Sequence, residues 1–243
     1  MNLHRTKQTL NDGDFSIIAN EYGHYCMPNR YAHRQISKLL MGGGVYEPAT
    51  LRFLRRHLGS GDVITGGAFI GDFFPALHEV LAETSQIHSF EPNPVSFDAA
   101  LKTIAVNGLK RVQLHPVAVG DQPDTLMLQV SRHNGKAIAA GERIVDDMDV
   151  SDARGLPVSV RRIDDLVDKD RMVTVLHLDV EGFETKALQG AKRVLTANRP
   201  LVLLEAGRPW QQRHFCAVLN DLVEHDTYTQ VGVIERNAIY RAL

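Results

Sequence analysis

The stretch VITGGAFIG, residues 63–71, joins a short apolar run to a segment whose apolar residues recur at helical spacing. Such a run is typical of a buried β-strand, and the glycines after it let the backbone turn sharply into the helix. A dinucleotide fingerprint needs a glycine two positions after Gly66, where this chain has Ala68. The stretch predicts the first strand–turn–helix unit of an α/β fold. The helix start favours a ligand at the turn, although the glycines alone are equally typical of a structural turn.

The alternation of strands and helices continues beyond this unit. Short apolar runs between amphipathic helices predict a parallel sheet covered on both faces, in a Rossmann-like, doubly wound α/β fold. Two β-like runs around Glu235-Arg236-Asn237 predict a C-terminal hairpin that adds an antiparallel edge. The predicted strands are 63–64, 87–90, 112–119, 173–178 and 201–204, and the predicted helices are 73–81, 94–107, 183–195 and 215–222.

The chain divides into an N-terminal extension, residues 1–58, and a Rossmann-like domain, residues 59–243. The extension is expected to be partly helical. Residues 122–160 interrupt the strand–helix rhythm and are predicted to be an insertion that shapes a substrate pocket, although a plain surface excursion explains them equally well. Within the extension the pattern predicts a strand over 15–18 and helices over 31–41 and from Glu47-Pro48 onward.

Composition narrows the class of partner. The formal net charge is −2, which favours neither nucleic acid nor an acidic membrane surface. The two cysteines, Cys26 and Cys216, are too few for a disulfide framework and fit no zinc pattern. No apolar run approaches the roughly 20 residues of a membrane span, and residues 1–15 lack the apolar centre of a secretory signal. We therefore expect a cytoplasmic protein with no nucleic-acid or membrane partner, and the composition leaves its oligomeric state unspecified.

An acidic residue stands at the end of the second predicted strand, in the run Phe90-Glu91-Pro92-Asn93-Pro94. Glu91 lies about 20 residues after Gly71, where a carboxylate can accept hydrogen bonds from both hydroxyls of a ribose. The flanking prolines keep the backbone extended and restrict its freedom. The alternative is an exposed acid at a strand end.

A second acidic group follows the fourth predicted strand, in residues 177–184. Asp179 and Glu181 are two residues apart, so both can face one side of the carboxyl edge. Paired carboxylates can accept a proton from a hydroxyl or hold a divalent cation. His177 lies one strand period earlier and can join them, but a buried structural histidine is the commoner case.

Two later features are further candidates for the pocket wall. Glu205 ends the fifth predicted strand. Residues 207–210, Gly-Arg-Pro-Trp, are compatible with a clamp for an acidic or sugar substrate, and equally with a simple loop and helix start.

Taken together and in order, these segments resemble the FkbM-type family of S-adenosylmethionine-dependent methyltransferases. Each segment by itself is a weak signal, but the ordered set covers about residues 44–205 at suitable spacing. The segments are Tyr46-Glu47-Pro48, Gly67-Ala68-Phe69-Ile70-Gly71, Phe90-Glu91-Pro92-Asn93-Pro94, Val117-Ala118-Val119-Gly120-Asp121, Val158-Ser159-Val160 with Ile163-Asp164-Asp165-Leu166, Leu178-Asp179-Val180-Glu181-Gly182-Phe183-Glu184 and Leu188-Gln189-Gly190-Ala191.

The resemblance implies a class I methyltransferase fold, S-adenosylmethionine as methyl donor, and O-methylation of a hydroxyl on a small molecule or sugar. Asp179, Glu181 and His177 are the implied catalytic candidates, because a hydroxyl acceptor must lose its proton. A divalent cation is compatible with the carboxylates, but no other sequence feature supports one. The implied cofactor-binding residues are Tyr46, Thr65, Gly67, Ala68, Phe69, Gly71, Glu91, Pro92, Asn93, Ala118 and Asp179.

The chain departs from the family pattern at three positions. The family's loop usually starts with an acid where this chain has Thr65, and usually has Asn where this chain has Phe69. It often has Lys where this chain has His177. Losing the acid is expected to weaken cofactor binding by about tenfold. A non-catalytic cofactor-binding or scaffold protein is therefore an alternative, and the glycine spacing disfavours a nicotinamide-dependent oxidoreductase.

Overall fold

The computed structural model describes residues 11–12, 14–129, 143–145, 155–223 and 228–243. The strands are β1 (Asn11–Asp12), β2 (Phe15–Ala19), β3 (His24–Pro28), β4 (Asp62–Gly66), β5 (Ile87–Phe90), β6 (Val112–His115), β7 (Ala118–Val119), β8 (Asp124–Gln129), β9 (Arg143–Val145), β10 (Gly155–Arg161), β11 (Val173–Leu178), β12 (Leu201–Glu205), β13 (Tyr228–Ile234) and β14 (Asn237–Ala242). The helices are α1 (Gln35–Met41), α2 (Pro48–His57), α3 (Phe74–Val80), α4 (Pro94–Asn107), α5 (Ile163–Leu166), α6 (Glu184–Gln189), α7 (Lys192–Asn198) and α8 (Pro209–Val223).

A seven-stranded sheet in the order β13-β14-β12-β11-β4-β5-β6 forms the centre of the fold. The strands from β12 to β6 are parallel neighbours, whereas β14 and β13 run antiparallel at one edge. That edge is the predicted hairpin, closed by a two-residue turn at Glu235-Arg236 between the paired residues Ile234 and Asn237. The expected Rossmann-like sheet with an antiparallel C-terminal edge is confirmed.

The core lies on both faces of this sheet, as parallel strands with near-continuous apolar sequences require. Alternate residues of each strand enter different clusters. Val63 and Val175 pack against α2 and α3 on one face, while Ile64 and Leu176 pack against the helices from α5 to α8 on the other. No helix within the described ranges has the length and apolar character needed to cross a bilayer.

The N-terminal extension contains more β structure than expected. The predicted strand is confirmed as β2, but β1 and β3 pair with it to form a three-stranded antiparallel sheet. The helix predicted over 31–41 starts only at Gln35, after a 3-10 turn over Asn29–Tyr31. The buried Tyr31 is the reason, because the turn directs its ring into a cluster shared with Ile70 and Ala99 of the main domain.

The prediction that residues 112–119 form one strand is wrong. Pro116 cannot donate to a ladder, and the chain leaves the central sheet there. Only β6 belongs to that sheet, whereas β7 joins a second sheet in the order β7-β10-β8-β9. The second sheet contains the described parts of the predicted insertion, and residues 130–142 and 146–154 lie outside the described residues.

The helix predicted over 183–195 is also two elements, α6 and α7, with a break at Gly190-Ala191. A Cβ atom at Gly190 would overlap the carbonyl oxygen of Gly120. The Gly190 carbonyl accepts a hydrogen bond from the Asp164 N–H at 2.9 Å. The break therefore lets the chain approach the loop after β7, which helical periodicity alone does not reveal.

Candidate functional site

A cavity of about 760 Å³ lies at the carboxyl ends of β4, β5 and β11. This is the edge of an open α/β sheet at which ligands bind, and the volume is within the usual range for small-molecule sites. Most of the predicted site residues line the cavity, and Gly71 and Asn93 do not. Those that line it are Tyr46, Thr65, Gly67, Ala68, Phe69, Glu91, Pro92, Ala118, His177, Asp179 and Glu181.

The glycines after β4 are required by the protein's own packing. Gly67 has a φ of 83°, and a Cβ there would overlap the carbonyl oxygen of Asp179. Gly71 has a φ of 75°, and a Cβ there would lie 2.6 Å from the Phe74 ring. Both positions therefore exclude a side chain before any ligand is considered. The turn shapes the cavity floor by bringing the loops after β4 and β11 into contact.

Phe69, one of the departures from the family pattern, contacts the N-terminal extension. Its φ is 46°, which is uncommon for a bulky residue. Its ring stacks on the Tyr31 ring with centroids 5.9 Å apart. The Arg34 guanidinium lies over the same Tyr31 ring, 3.7 Å from its centroid. The aromatic contact thus joins the glycine turn to the extension, which contributes Arg34, Gln35, Ile36 and Leu39 to the cavity wall.

Glu91 is buried beside the turn and holds the two loops together. Its Oε2 accepts a hydrogen bond from the Phe69 N–H at 2.8 Å, and its Oε1 accepts one from the Asn93 N–H at 2.9 Å. Asn93 has a different task, because its side chain caps α4 by accepting from the Val95 N–H at 2.8 Å.

Thr65 and His177, the two other departures, are direct partners across β4 and β11. Both are buried, and Thr65 Oγ1 lies 3.2 Å from His177 Nδ1. The imidazole stacks on Phe73 with centroids 5.6 Å apart. Burial lowers the pKa of His177 to about 4, so the ring is neutral at physiological pH. The positions where the family pattern has an acid and a lysine therefore hold one neutral hydrogen-bonded pair.

The end of the cavity beyond this pair is acidic. Asp179, Glu181 and Asp72 all line it. Burial raises the pKa of Asp179 well above its ordinary value, and the nearby Glu205 and Glu181 raise it further. Burial also raises the pKa of Asp72 to about 7. The sequence predictions omitted Asp72, although its position directly after Gly71 is a usable signal.

The far rim is built by contacts between α2 and the C-terminal hairpin. The Glu235 carboxylate accepts from the Thr50 N–H at 2.9 Å, the Thr50 hydroxyl at 2.7 Å and the Ala49 N–H at 3.2 Å. The Glu47 carboxylate accepts from the Asn237 side-chain amide at 2.7 Å. Both acids line the cavity, and sequence reasoning missed both because their partners are about 190 residues away.

Backbone strain is concentrated at this cavity. Among the described residues, five that are not glycine have a positive φ, and four of these line the cavity: Glu47, Phe69, Glu181 and Glu235. The hairpin turn accounts for Glu235, but no turn preference accounts for Phe69. Strained residues of this kind cluster where a protein holds side chains for function.

Two further candidate features, Glu205 and residues 207–210, do not line the cavity. Glu205 ends β12 as expected, and it pairs at 2.6 Å with Arg236, which does line the cavity. Residues 207–210 do not line the cavity, and Trp210 is exposed. The predicted insertion contributes Leu128 from its described part.

The comparisons with known proteins agree with this architecture. A family model described as the methyltransferase FkbM domain matches residues 66–231. The chain belongs to the FkbM methyltransferase family. None of the curated proteins is a detectable match to it.

Solved structures support the fold of this member of the FkbM family. Methyltransferase FkbM from Methylobacillus flagellatus KT is 18% identical with a TM-score of 0.52, over 75% of this chain and 43% of that one. Wild-type Trm5b from Pyrococcus abyssi is 9% identical with a TM-score of 0.50, over 95% of this chain and 56% of that one. This chain thus spans about half the length of either protein. At such identities the likeness shows the fold alone, that of class I S-adenosylmethionine-dependent methyltransferases.

Proposed function

We propose that this FkbM methyltransferase transfers a methyl group from S-adenosylmethionine to a hydroxyl of a small molecule or sugar. The single observation that carries the proposal is Glu91, a buried carboxylate on the cavity wall that is tied to the glycine turn through the Phe69 N–H. A carboxylate at this strand end is placed to accept hydrogen bonds from the two hydroxyls of a ribose.

The residues around Glu91 fit an adenosine group. Pro92, Ala118, Val119 and Phe183 provide an apolar wall, while Glu91 provides the polar end. Thr65 and Gly67 at the end of β4 and Asp179 after β11 follow Glu91 in the order of the strands, and the methionine part of the cofactor fits there. The bound cofactor supplies an electrophilic methyl group on a sulfonium. The protein's task is to hold an acceptor oxygen in line with it and to exclude water.

The acceptor proton needs a base. The bound cofactor would supply the methyl group, and the acceptor hydroxyl would pass its proton to a side chain of the protein. Asp179, Glu181 and His177 are the candidates from the sequence, and Asp72 joins them from the structure. Asp72 has a pKa of about 7, which matches neutral operating conditions best. His177, with a pKa of about 4, is the weakest base among those with a stated value.

The charge around the acceptor end supports an uncharged acceptor. Asp72, Asp179 and Glu181 can accept hydrogen bonds from hydroxyl groups, and they offer a phosphate or carboxylate no positive partner. Arg34 and Arg236 also line the cavity, but Arg34 lies over the Tyr31 ring and Arg236 pairs with Glu205. A polyhydroxyl acceptor such as a sugar suits this lining.

Calorimetric titration with S-adenosylmethionine tests the cofactor assignment. The substitutions Glu91→Gln and Glu91→Ala should weaken binding by about 10- to 100-fold, because each removes charge-assisted hydrogen bonds to the ribose. Glu79→Gln is the control, since Glu79 is exposed, does not line the cavity, and pairs with Arg55 at an N–O distance of 2.8 Å. Thermal unfolding confirms that each variant is folded. Unchanged affinity in both Glu91 variants would disprove the assignment.

A non-catalytic cofactor-binding protein is the second candidate, favoured by the neutral Thr65–His177 pair where the family pattern has charged residues. Mass spectrometry of a panel of hydroxylated acceptors, incubated with enzyme and methyl-labelled cofactor, separates the two. Label in any acceptor excludes this candidate, and saturable cofactor binding without turnover across the panel favours it. A parallel titration with NAD tests the oxidoreductase alternative, which fails if NAD does not bind.

A further inference from the structure

Three carboxylates meet behind the acidic end of the cavity. One oxygen from each of Asp179, Glu184 and Glu205 lies within 4.8 Å of the other two. The sheet register produces this meeting, because Leu178 pairs with Leu204 and the residue that follows each of them in the chain is an acid. Glu184 is held by the loop between them, since its Oε1 accepts from the N–H groups of Val180 and Gly182 at 3.1 Å. The cluster is therefore built on rigid elements.

The protein around this cluster supplies no basic partner, although Asp179 shares a hydrogen bond with Glu205. Asp179 Oδ1 is inaccessible to solvent and has no hydrogen-bond partner among the described residues. Within the same ranges, no Lys, Arg or His side chain lies within ion-pair distance of Asp179 or Glu184. Arg236 reaches only Glu205, and it does so from the solvent side with its own side chain 68% exposed. A buried carboxylate oxygen without a donor calls for a partner that the protein itself does not supply, such as water or a cation.

The separations match the size of a hard divalent cation. Two oxygens on one Ca²⁺ lie at most about 5.2 Å apart, and two on one Mg²⁺ at most about 4.2 Å apart. Oxygens within 4.8 Å of one another thus accommodate Ca²⁺ as they stand, and Mg²⁺ after closing by at most about 0.6 Å. Three carboxylate oxygens leave coordination positions for water or a substrate oxygen.

We propose that Asp179, Glu184 and Glu205 bind one oxygen-preferring divalent cation of the Mg²⁺ or Ca²⁺ type. Asp179 also lines the cavity, so the cation borders the acceptor end. There it can bind the acceptor hydroxyl oxygen and lower that hydroxyl's pKa, which eases loss of its proton. This catalytic role rests on the proposed function, whereas cation binding does not.

Electron paramagnetic resonance with Mn²⁺ tests the site directly. The full chain, stripped with a chelator, should bind one Mn²⁺ that excess Mg²⁺ or Ca²⁺ displaces. Asp179→Asn and Glu205→Gln should each weaken Mn²⁺ binding by at least tenfold. Asp98→Asn is the matched control, because Asp98 is an exposed acid paired with Lys102 on α4 and should leave binding unchanged. Circular dichroism of the metal-free proteins shows that the variants are folded.

Absence of Mn²⁺ binding to the wild-type chain, or equal binding in both site variants, would overturn the proposal. In that case Asp179 and Glu205 share a proton instead. Calorimetry with S-adenosylmethionine on the same samples keeps the two proposals separate. Cofactor binding without Mn²⁺ binding refutes only the cation site, and Mn²⁺ binding without cofactor binding refutes only the proposed function.

Discussion

Asp62, at the amino end of β4, carries a stability prediction that is independent of the cavity at the other end of the strand. Its carboxylate is buried and accepts from Arg171 Nε at 2.7 Å, from Arg171 Nη2, and from the Gln86 N–H at 2.8 Å. His88 Nε2 lies 2.8 Å from Oδ2, the same oxygen that accepts from Arg171 Nε. Although burial by itself raises the pKa of Asp62, the bonds from His88 and Arg171 outweigh it and lower the pKa to about 2.

The substitution Asp62→Asn removes this anion at almost constant volume. A carboxyl pKa held near 2 instead of 3.8 is worth about 2 kcal/mol at neutral pH, at about 1.36 kcal/mol per pKa unit. The Arg171 cation then also loses its partner, so the free energy of unfolding should fall by about 2 to 4 kcal/mol. For a chain of this length, that corresponds to a decrease in Tm of roughly 4–16 °C.

The pH dependence gives the prediction a second, sharper form. Because the folded pKa of Asp62 is depressed, its contribution is complete above about pH 5 and is lost as the pH falls through 4 toward 2. Urea unfolding of both proteins at pH 7, 5, 4 and 3 should therefore show the difference shrinking below pH 4. Asp98→Asn breaks an exposed pair with Lys102 and should cost less than about 0.5 kcal/mol.

Two results would refute the reasoning about Asp62. One is a loss below about 0.5 kcal/mol at pH 7, and the other is a loss that stays constant from pH 7 to pH 3. Cofactor affinity of the folded Asp62→Asn protein serves as an internal control. It should equal that of the wild type, because Asp62 lies at the opposite edge of the sheet from the cavity.

Two other substitutions probe the cavity. Thr65→Asp restores a charged acceptor at the loop start and should raise affinity for S-adenosylmethionine by about tenfold in calorimetry; an unchanged or lower affinity contradicts this. Asp72→Asn, beside Tyr25, Tyr46 and Glu47, should stabilise the protein in urea unfolding. Since the folded pKa of Asp72 is raised to about 7, the gain should grow as the pH rises from 4 to 7 and then level off; a gain that is independent of pH argues against a buried acid.

The fold was predictable because its signals are local. The apolar runs of β4, β11 and β12 and the helical periodicity between them are readable without knowing any partner. The errors occurred where a distant contact changed the local outcome. The helix expected from residue 183 breaks at Gly190 because the Gly120 carbonyl packs there. The helix expected from Tyr31 starts late because that ring is buried against the main domain.

The cavity residues were predictable in part, for the same reason. Glu91 and Asp179 follow strands directly, so strand ends and topology suffice to bring them to one edge. Glu235 was not predictable, because it caps α2 from the other end of the chain. The N-cap residue of α2 is Glu47 rather than Ser, Thr, Asp or Asn, and its side chain makes no cap hydrogen bond. The missing cap was the local signal that another part of the chain caps this helix.

By itself, the sequence determined the parallel sheet, the glycine turn and the ordered family segments, since these depend on residues close together in the chain. Only the tertiary structure decided which side chains of those segments become neighbours. Register placed Thr65 opposite His177, and it placed Asp179 beside Glu205. A shift of one residue between β4 and β11 would separate Thr65 from His177, and a shift between β11 and β12 would separate Asp179 from Glu205. Sequence periodicity carries no information on which strands are neighbours. The glycine turn is therefore predictable from the sequence, whereas the neutral Thr65–His177 pair and the acidic residues beside it result from tertiary packing.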